Sequence, residues 1–232
     1  MVNGVKAWSY STGSMFKTCK AKFKFYAIDK IKEEDNHFQA DGQTKHKIAE
    51  YYIKGEVKGT PPEIANFKTE MDVLKNSGRA IVEMDLAITC DYKPTKWNDW
   101  DNVWLRSKAD VVFPIDEKEI VIIDHKFGKP WGSYDEQMKK YFAAAAAHYP
   151  EAEIFTTELW FHKIPAGDTS RIDQKIFYRE DLQNVQDEIN FEWDEIKMET
   201  EFRPNPSQSN CRFCFYAKNK SGHCAYDSDG EI

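Results

Sequence analysis

No stretch of this chain approaches the roughly 20 consecutive apolar residues that a membrane-spanning helix requires. The residues after Met1 also lack the apolar core of a secretion signal. A cytoplasmic protein with no membrane association is therefore expected. A disulfide framework is not expected either, because the five cysteines are odd in number and no export signal accompanies them. There is no internal repeat, and no excess of positive charge to draw the whole chain onto nucleic acid: the formal net charge is −7.

Net charge hides an uneven distribution. Residues 1–60 carry eleven lysines against seven acids, so the acidic excess lies wholly in the remainder. Lys17, Lys20, Lys22, Lys24, Lys30 and Lys32 alternate with Phe16, Phe23, Phe25 and Tyr26. Such a segment could follow a phosphate backbone. A solvated helix face whose aromatics enter the core is the simpler alternative.

The 232 residues, 14% of them aromatic, suffice for one globular domain with a sizeable core. Apolar spacing predicts helices over 14–32, 45–53 (opened by Asp41-Gly42), 63–75 and 180–198. Strands are expected over 80–89, 109–114, 119–126, 153–163 and 171–178, with an irregular Trp-rich connection over 92–104. The unbroken Ile120-Val-Ile-Ile123 predicts a central strand buried on both faces. Ser133 and Glu136 have capping-box spacing, so a helix carried by the alanines 143–147 should start there and run to His148. The order implies an α/β sandwich with a mixed central sheet. One domain over 1–232 is expected, comprising an N-terminal helical part (1–78), a catalytic core (79–178) and a C-terminal helix and tail (179–232).

Chemistry enters at Asp110 and Asp124. Hydrolysis of a phosphodiester needs an activated water and neutralisation of the charge that builds in the transition state, and one or two Mg²⁺ or Mn²⁺ ions held by hard oxygen ligands do both. Asp110 and Asp124 suit that role, with His46 as a nitrogen ligand and the backbone carbonyl of His125 as a further oxygen. Lys126, two residues beyond Asp124, projects to the same strand face and can hold the water or offset the developing charge. Gln137 and Tyr141 share a helix face four residues apart. Taken singly, each residue has an ordinary reading as a turn, cap or surface group. Their occurrence together and in order carries the argument.

That order is Gly42-x-x-x-His46-x-x-x-Glu50, Asp110, Asp124-His125-Lys126, then Gln137-x-x-x-Tyr141, preceded by Trp8-Ser-Tyr-Ser11 and Phe16-x-x-Cys19. It resembles the PD-(D/E)XK nucleases of the RecB type, a group that includes the AddB nuclease, the CRISPR-adaptation exonucleases and many phage-encoded relatives. The resemblance implies a restriction-endonuclease-like core, metal ligands at His46, Asp110 and Asp124, and a catalytic lysine at Lys126. Gln137 and Tyr141 would position the site or the DNA, and Glu83 matches a less specific acidic position. Lys20 stands where the family has proline, and Phe127 where it has threonine. The implied activity is exonucleolytic cleavage at DNA ends, single-stranded ends first, in recombination, repair or phage DNA metabolism. A phage-encoded protein would act in the host cytoplasm, and a helicase partner is left open. The alternatives are a nuclease-fold DNA-binding protein that does not cut and a zinc-binding interaction protein.

Cys211-x-x-Cys214 followed by Cys224 has the spacing of a metal site. The resemblance supplies Cys19 as a fourth ligand, giving a 4Fe-4S iron–sulfur cluster that clasps the cysteine-bearing tail to the N-terminal region. Zinc, bound with Cys19 or His223, is the alternative. Cys90, at a strand end, is expected to be a core residue.

Overall fold

The computed structural model describes residues 4–33 and 37–232. Residues 1–3, read above for a leader, lie outside the described residues. The chain divides into two compact units, one of residues 36–186 and one of residues 1–35 together with 187–232.

The first unit is built on six strands: β1 (Ile81–Ile88), β2 (Pro94–Thr95), β3 (Leu105–Pro114), β4 (Glu119–Lys126), β5 (Ile154–Phe161) and β6 (Ile172–Tyr178). They lie in the order β2-β1-β3-β4-β5-β6. Every neighbouring pair is antiparallel except β4 with β5, which are parallel. Parallel strands need a crossover connection, and the helix Asp135–His148 supplies it. The sheet is mixed and flanked by helices, as expected.

Strand alternation divides the core between the two faces. On one face, Val111, Phe113, Ile123 and Trp160 meet Ala49, Tyr52 and Ile53 of the helix His37–Ile53, and Met71 and Leu74 of the helix Lys68–Ser77. On the other, Phe142 stacks on Phe177 at 4.7 Å between ring centroids and meets Phe155 at 5.2 Å. Ala143 to Ala146 are buried beside it. Their small side chains let the helix backbone approach the strands closely. In chain order the described α-helices are α1 (Tyr10–Thr18), α2 (Lys20–Phe23), α3 (His37–Ile53), α4 (Lys68–Ser77), α5 (Asp135–His148), α6 (Leu182–Met198) and α7 (Gln208–Cys211).

β4 has the expected bounds, and its place third from one edge of the sheet accounts for the burial of Ile120, Ile122 and Ile123. Several expectations need correction. α3 begins at His37, so Asp41 and Gly42 lie within it rather than opening it. The segment before α4 is a 3-10 turn, Pro62–Phe67, and not the opening of one continuous α-helix. β3 begins at Leu105, so Asp110 stands in mid-strand. α5 begins two residues after Ser133. Ser133 Oγ accepts from Asp135 N at 3.2 Å, and Tyr134 holds the N-cap position without a capping box. Cys90 is exposed, in the turn closed by Thr89 N donating to Lys93 O at 2.9 Å, and is no core residue.

In the second unit the expected single helix over 14–32 is broken. It opens earlier, at Tyr10, because Ser9 and Thr12 cap each other reciprocally. At Cys19 the backbone is extended (φ −158°, ψ 109°), and α2 then passes into a π-helical turn, Lys24–Ile28. Trp8 packs on Trp193 (5.5 Å), and Phe23 lies between Phe16 (5.3 Å) and Phe202 (6.4 Å). The tail is tied to the N-terminal segment by Tyr216 OH donating to Ile31 O (2.7 Å) and Asn205 Nδ2 donating to Thr18 O (3.0 Å). The lysines of this segment mostly meet acids of their own unit: Lys17 with Glu192, Lys20 with Glu199, Lys22 with Glu33 and Lys24 with Asp29. Phe16 and Phe23 are buried. Core aromatics on a solvated face describe Phe16 and Phe23, whereas Phe25 is half-buried and Tyr26 exposed.

Candidate active site

β3 and β4 bring the two aspartates together. Their ladder runs from Pro114↔Ile120 to Val111↔Ile123, and Asp110 and Asp124 occupy the next step, where the pairing opens. Asp110 Oδ2 accepts from the His125 amide at 2.6 Å, replacing the missing ladder bond and fixing the carboxylate. Asp110 Oδ1 lies 3.0 Å from His46 Nδ1, carried by α3.

Asp124 is held from α5. Its Oδ1 accepts from Gln137 Nε2 at 2.8 Å and lies 2.6 Å from Tyr141 OH, which also stands 3.0 Å from Lys108 O. The four-residue spacing of Gln137 and Tyr141 puts both on the helix face turned to the strand, and both are buried. Asp124 Oδ2 is buried without a hydrogen bond, although Lys126 Nζ lies 2.7 Å away in an ion pair. Lys126 is steadied a second time by donating to Gln137 Oε1 at 3.1 Å. The residues named from the sequence (His46, Asp110, Asp124, His125, Lys126, Gln137 and Tyr141) thus form one connected set.

Electrostatics match two carboxylates crowded at a partly dry site. Burial, and then the charge of Asp124, push the Asp110 carboxyl above its ordinary value against the pull of His46. Burial works to lower His46, but the hydrogen bond to Asp110 and the negative charges of Asp110, Asp124 and Glu83 outweigh it and raise the imidazole. Burial, with Asp124 beside it, holds the Tyr141 hydroxyl well above the usual phenol range, so it remains a neutral donor.

Two neighbours adjoin the site: Glu83, which the resemblance matched to a less specific acidic position, and His162, which no motif named. Glu83 sits in mid-strand with φ +55°, a left-handed conformation uncommon for a non-glycine residue. The β1–β3 ladder skips it between Val82↔Val111 and Met84↔Ala109, opposite Asp110. Its carboxylate pairs with Lys108 at 2.6 Å. His162 meets His125 through Nε2 and Nδ1 at 3.0 Å, and its ring stacks on Phe127 at 4.5 Å. Burial holds His162 down to about 3, so this pair is neutral. Alternation and motif spacing had no means of finding His162 or the turn at Glu83.

Two aspartates, an imidazole and a nearby carbonyl make a donor set suited to a hard divalent cation, and Asp124 Oδ2 keeps a lone pair for one. Among the described residues no three His, Cys, Asp or Glu side chains already surround a single point.

In the second unit, Cys19, Cys211, Cys214 and Cys224 line one cavity of about 120 Å³, with Thr18 and Tyr216 also in its wall. None is in a disulfide. Burial raises the Cys214 thiol. His223, the alternative zinc ligand, is absent from that wall. Its Nδ1 lies 2.9 Å from Ser221 Oγ.

The model of the PD-(D/E)XK nuclease superfamily matches residues 7–218. No curated protein matches the chain. Among solved structures, the crystal structure of SSO0001 is similar, with 13% identity and a TM-score of 0.42 over 96% of this chain and 87% of that one.

Proposed function

Because the chain belongs to the PD-(D/E)XK nuclease superfamily, we propose that it is a divalent-metal-dependent exonuclease that hydrolyses phosphodiester bonds at DNA ends. The assigned roles are metal ligation by His46, Asp110, Asp124 and the His125 carbonyl, and catalysis by Lys126. The observation that carries this reading is the linkage of His46 to Asp110 and of Asp124 to Lys126, Gln137 and Tyr141 in one site. A Mg²⁺ or Mn²⁺ ion there supplies Lewis acidity and lowers the pKa of a bound water.

The protein's own residues do the rest by position. Gln137 and Tyr141 occupy Asp124 Oδ1 and so leave Oδ2 to face Lys126. Lys126, half-buried and tethered to Gln137 Oε1, keeps its ammonium beside the site of attack, where it holds the water or offsets charge on the phosphate. When water adds at phosphorus, the bond to the leaving sugar oxygen breaks and that oxygen takes up a proton. The DNA task in view is recombination, repair or phage DNA metabolism.

The test compares linear and covalently closed circular DNA with Mg²⁺ or Mn²⁺ and with EDTA. Progressive loss of linear DNA, sparing of the closed circle and full inhibition by EDTA are expected. Equal attack on the circle overturns the exonuclease assignment, and cleavage in EDTA overturns the metal.

We infer also that Cys19, Cys211, Cys214 and Cys224 hold a 4Fe-4S cluster, supported by their shared cavity and by the N- and C-terminal segments meeting there. Such a cluster would clasp the tail to the N-terminal segment. Anaerobic purification should give a brown protein with four irons per chain, and Cys214→Ser should bleach it. A colourless protein with one zinc would replace the cluster by zinc, and a metal-free protein would remove both.

A further inference from the structure

Tryptophan is seldom left in water, because its large ring loses more than most side chains by staying exposed. Trp131 is 81% exposed. It sits in Gly128-Lys129-Pro130-Trp131-Gly132, the connection from the end of β4, which carries Asp124 and Lys126, to α5, which carries Gln137 and Tyr141. The loop is anchored at the site. Trp131 N donates to Tyr134 OH at 3.0 Å, the Tyr134 ring lies 5.3 Å from Lys126 Nζ, and the same ring packs on Phe161 at 5.8 Å. One residue therefore links the Trp131 backbone to the lysine assigned to catalysis. Pro130 fixes its own φ, and Gly132 takes φ +58°, a turn that other residues rarely adopt. The backbone is thus restricted before the indole, and Gly132 permits the turn after it. Lys129 beside it is exposed and places positive charge at the same edge.

We propose that Trp131 is a stacking platform for an unpaired base of the strand whose phosphate lies at Asp110, Asp124 and Lys126. The inference rests on the nuclease reading above. A base offers its π-face only when its neighbours are unstacked, so the platform takes a single strand or a frayed end and not the interior of a duplex. Every base has such a face, so the contact tolerates any sequence. Its closeness to Lys126 confines the stacked base to the nucleotides next to the bond being cut.

The experiment measures kcat and KM of the full chain on single-stranded oligonucleotides, intact or with one abasic nucleotide moved stepwise from the end. Wild type, Trp131→Ala and Trp131→Phe are compared, with thermal unfolding to show that all three are folded. Trp131→Ala should raise KM about ten- to a hundredfold with kcat within about twofold, and Trp131→Phe should recover most of the loss. For wild type, an abasic nucleotide at one position should cost a similar factor, and that penalty should vanish in Trp131→Ala. An unchanged KM in Trp131→Ala, or an abasic penalty that persists in full, overturns the platform while leaving the nuclease standing. If wild type cuts no DNA of any form, the nuclease reading falls, and the platform falls with it.

Discussion

Lys126→Ala and Asp110→Asn are each expected to lower DNA cleavage about a thousandfold, the scale seen when one preorganised charge or donor is removed from a transition state. Both proteins should remain folded. Lys126 is half-buried, and losing it leaves Asp124 Oδ1 with Gln137 and Tyr141. Asp110→Asn retains a carbonyl oxygen to accept from the His125 amide, so the opened ladder stays bridged. The measurement is single-turnover cleavage with Mg²⁺, paired with circular dichroism. Undiminished cleavage by both variants would sink the assignment of the site. Loss of activity with loss of fold would call for Lys126→Met, which keeps the aliphatic stem.

Phe67→Ala should be the most damaging core substitution near this site. The ring is fully buried, stacked on Trp160 at 4.8 Å and in contact with His162 at 4.7 Å, with the Arg171 guanidinium 4.4 Å from its centre. Truncation leaves a cavity that these partners cannot fill without moving, so a loss of about 3–5 kcal/mol is expected. In urea that lowers the midpoint by roughly 2 M for a chain of this size. Trp160 also meets the ring of His125 at 5.6 Å, so the damage should extend to the backbone that fixes Asp110. Phe67→Leu, which keeps most of the volume, should cost about 1 kcal/mol. Equal midpoints for wild type and Phe67→Ala would contradict the packing described.

Where a strand is buried on both faces, its residues declare it, and β4 was readable to both ends from Glu119-Ile-Val-Ile-Ile-Asp-His-Lys126. β3 was not, because Arg106 and Lys108 in its first half read as surface. In the fold, Arg106 lies between the rings of Trp97 and Trp100, at 4.8 and 4.6 Å, and Lys108 pairs with Glu83. Those partners come from elsewhere in the chain and leave no local periodicity. The break at Cys19 is hidden for the same reason. Lys20-Ala-Lys-Phe is a sound helical sequence, and the extended backbone before it accompanies tertiary contacts with the tail, such as Asn205 Nδ2 to Thr18 O. The site was legible further than its surroundings, since the order of His46, Asp110, Asp124, Lys126, Gln137 and Tyr141 survives in one dimension. Glu83's left-handed backbone, His162 behind His125 and Tyr134 beside Lys126 exist only once the strands are paired.

The division of the chain into residues 36–186 and a unit made from 1–35 with 187–232 orders events during synthesis. Every described strand, with the Asp110–Tyr141 site, belongs to the continuous middle segment, which can close on itself while translation continues, as domains do when they fold in turn. The segment holding Phe16 and Phe23 is made before that middle stretch and lacks the Phe202 ring packed beside it until residue 202 has been added. Cys19 meets Cys211, Cys214 and Cys224 only later still. The growing chain thus holds all the residues of its sheet before its four thiols can meet.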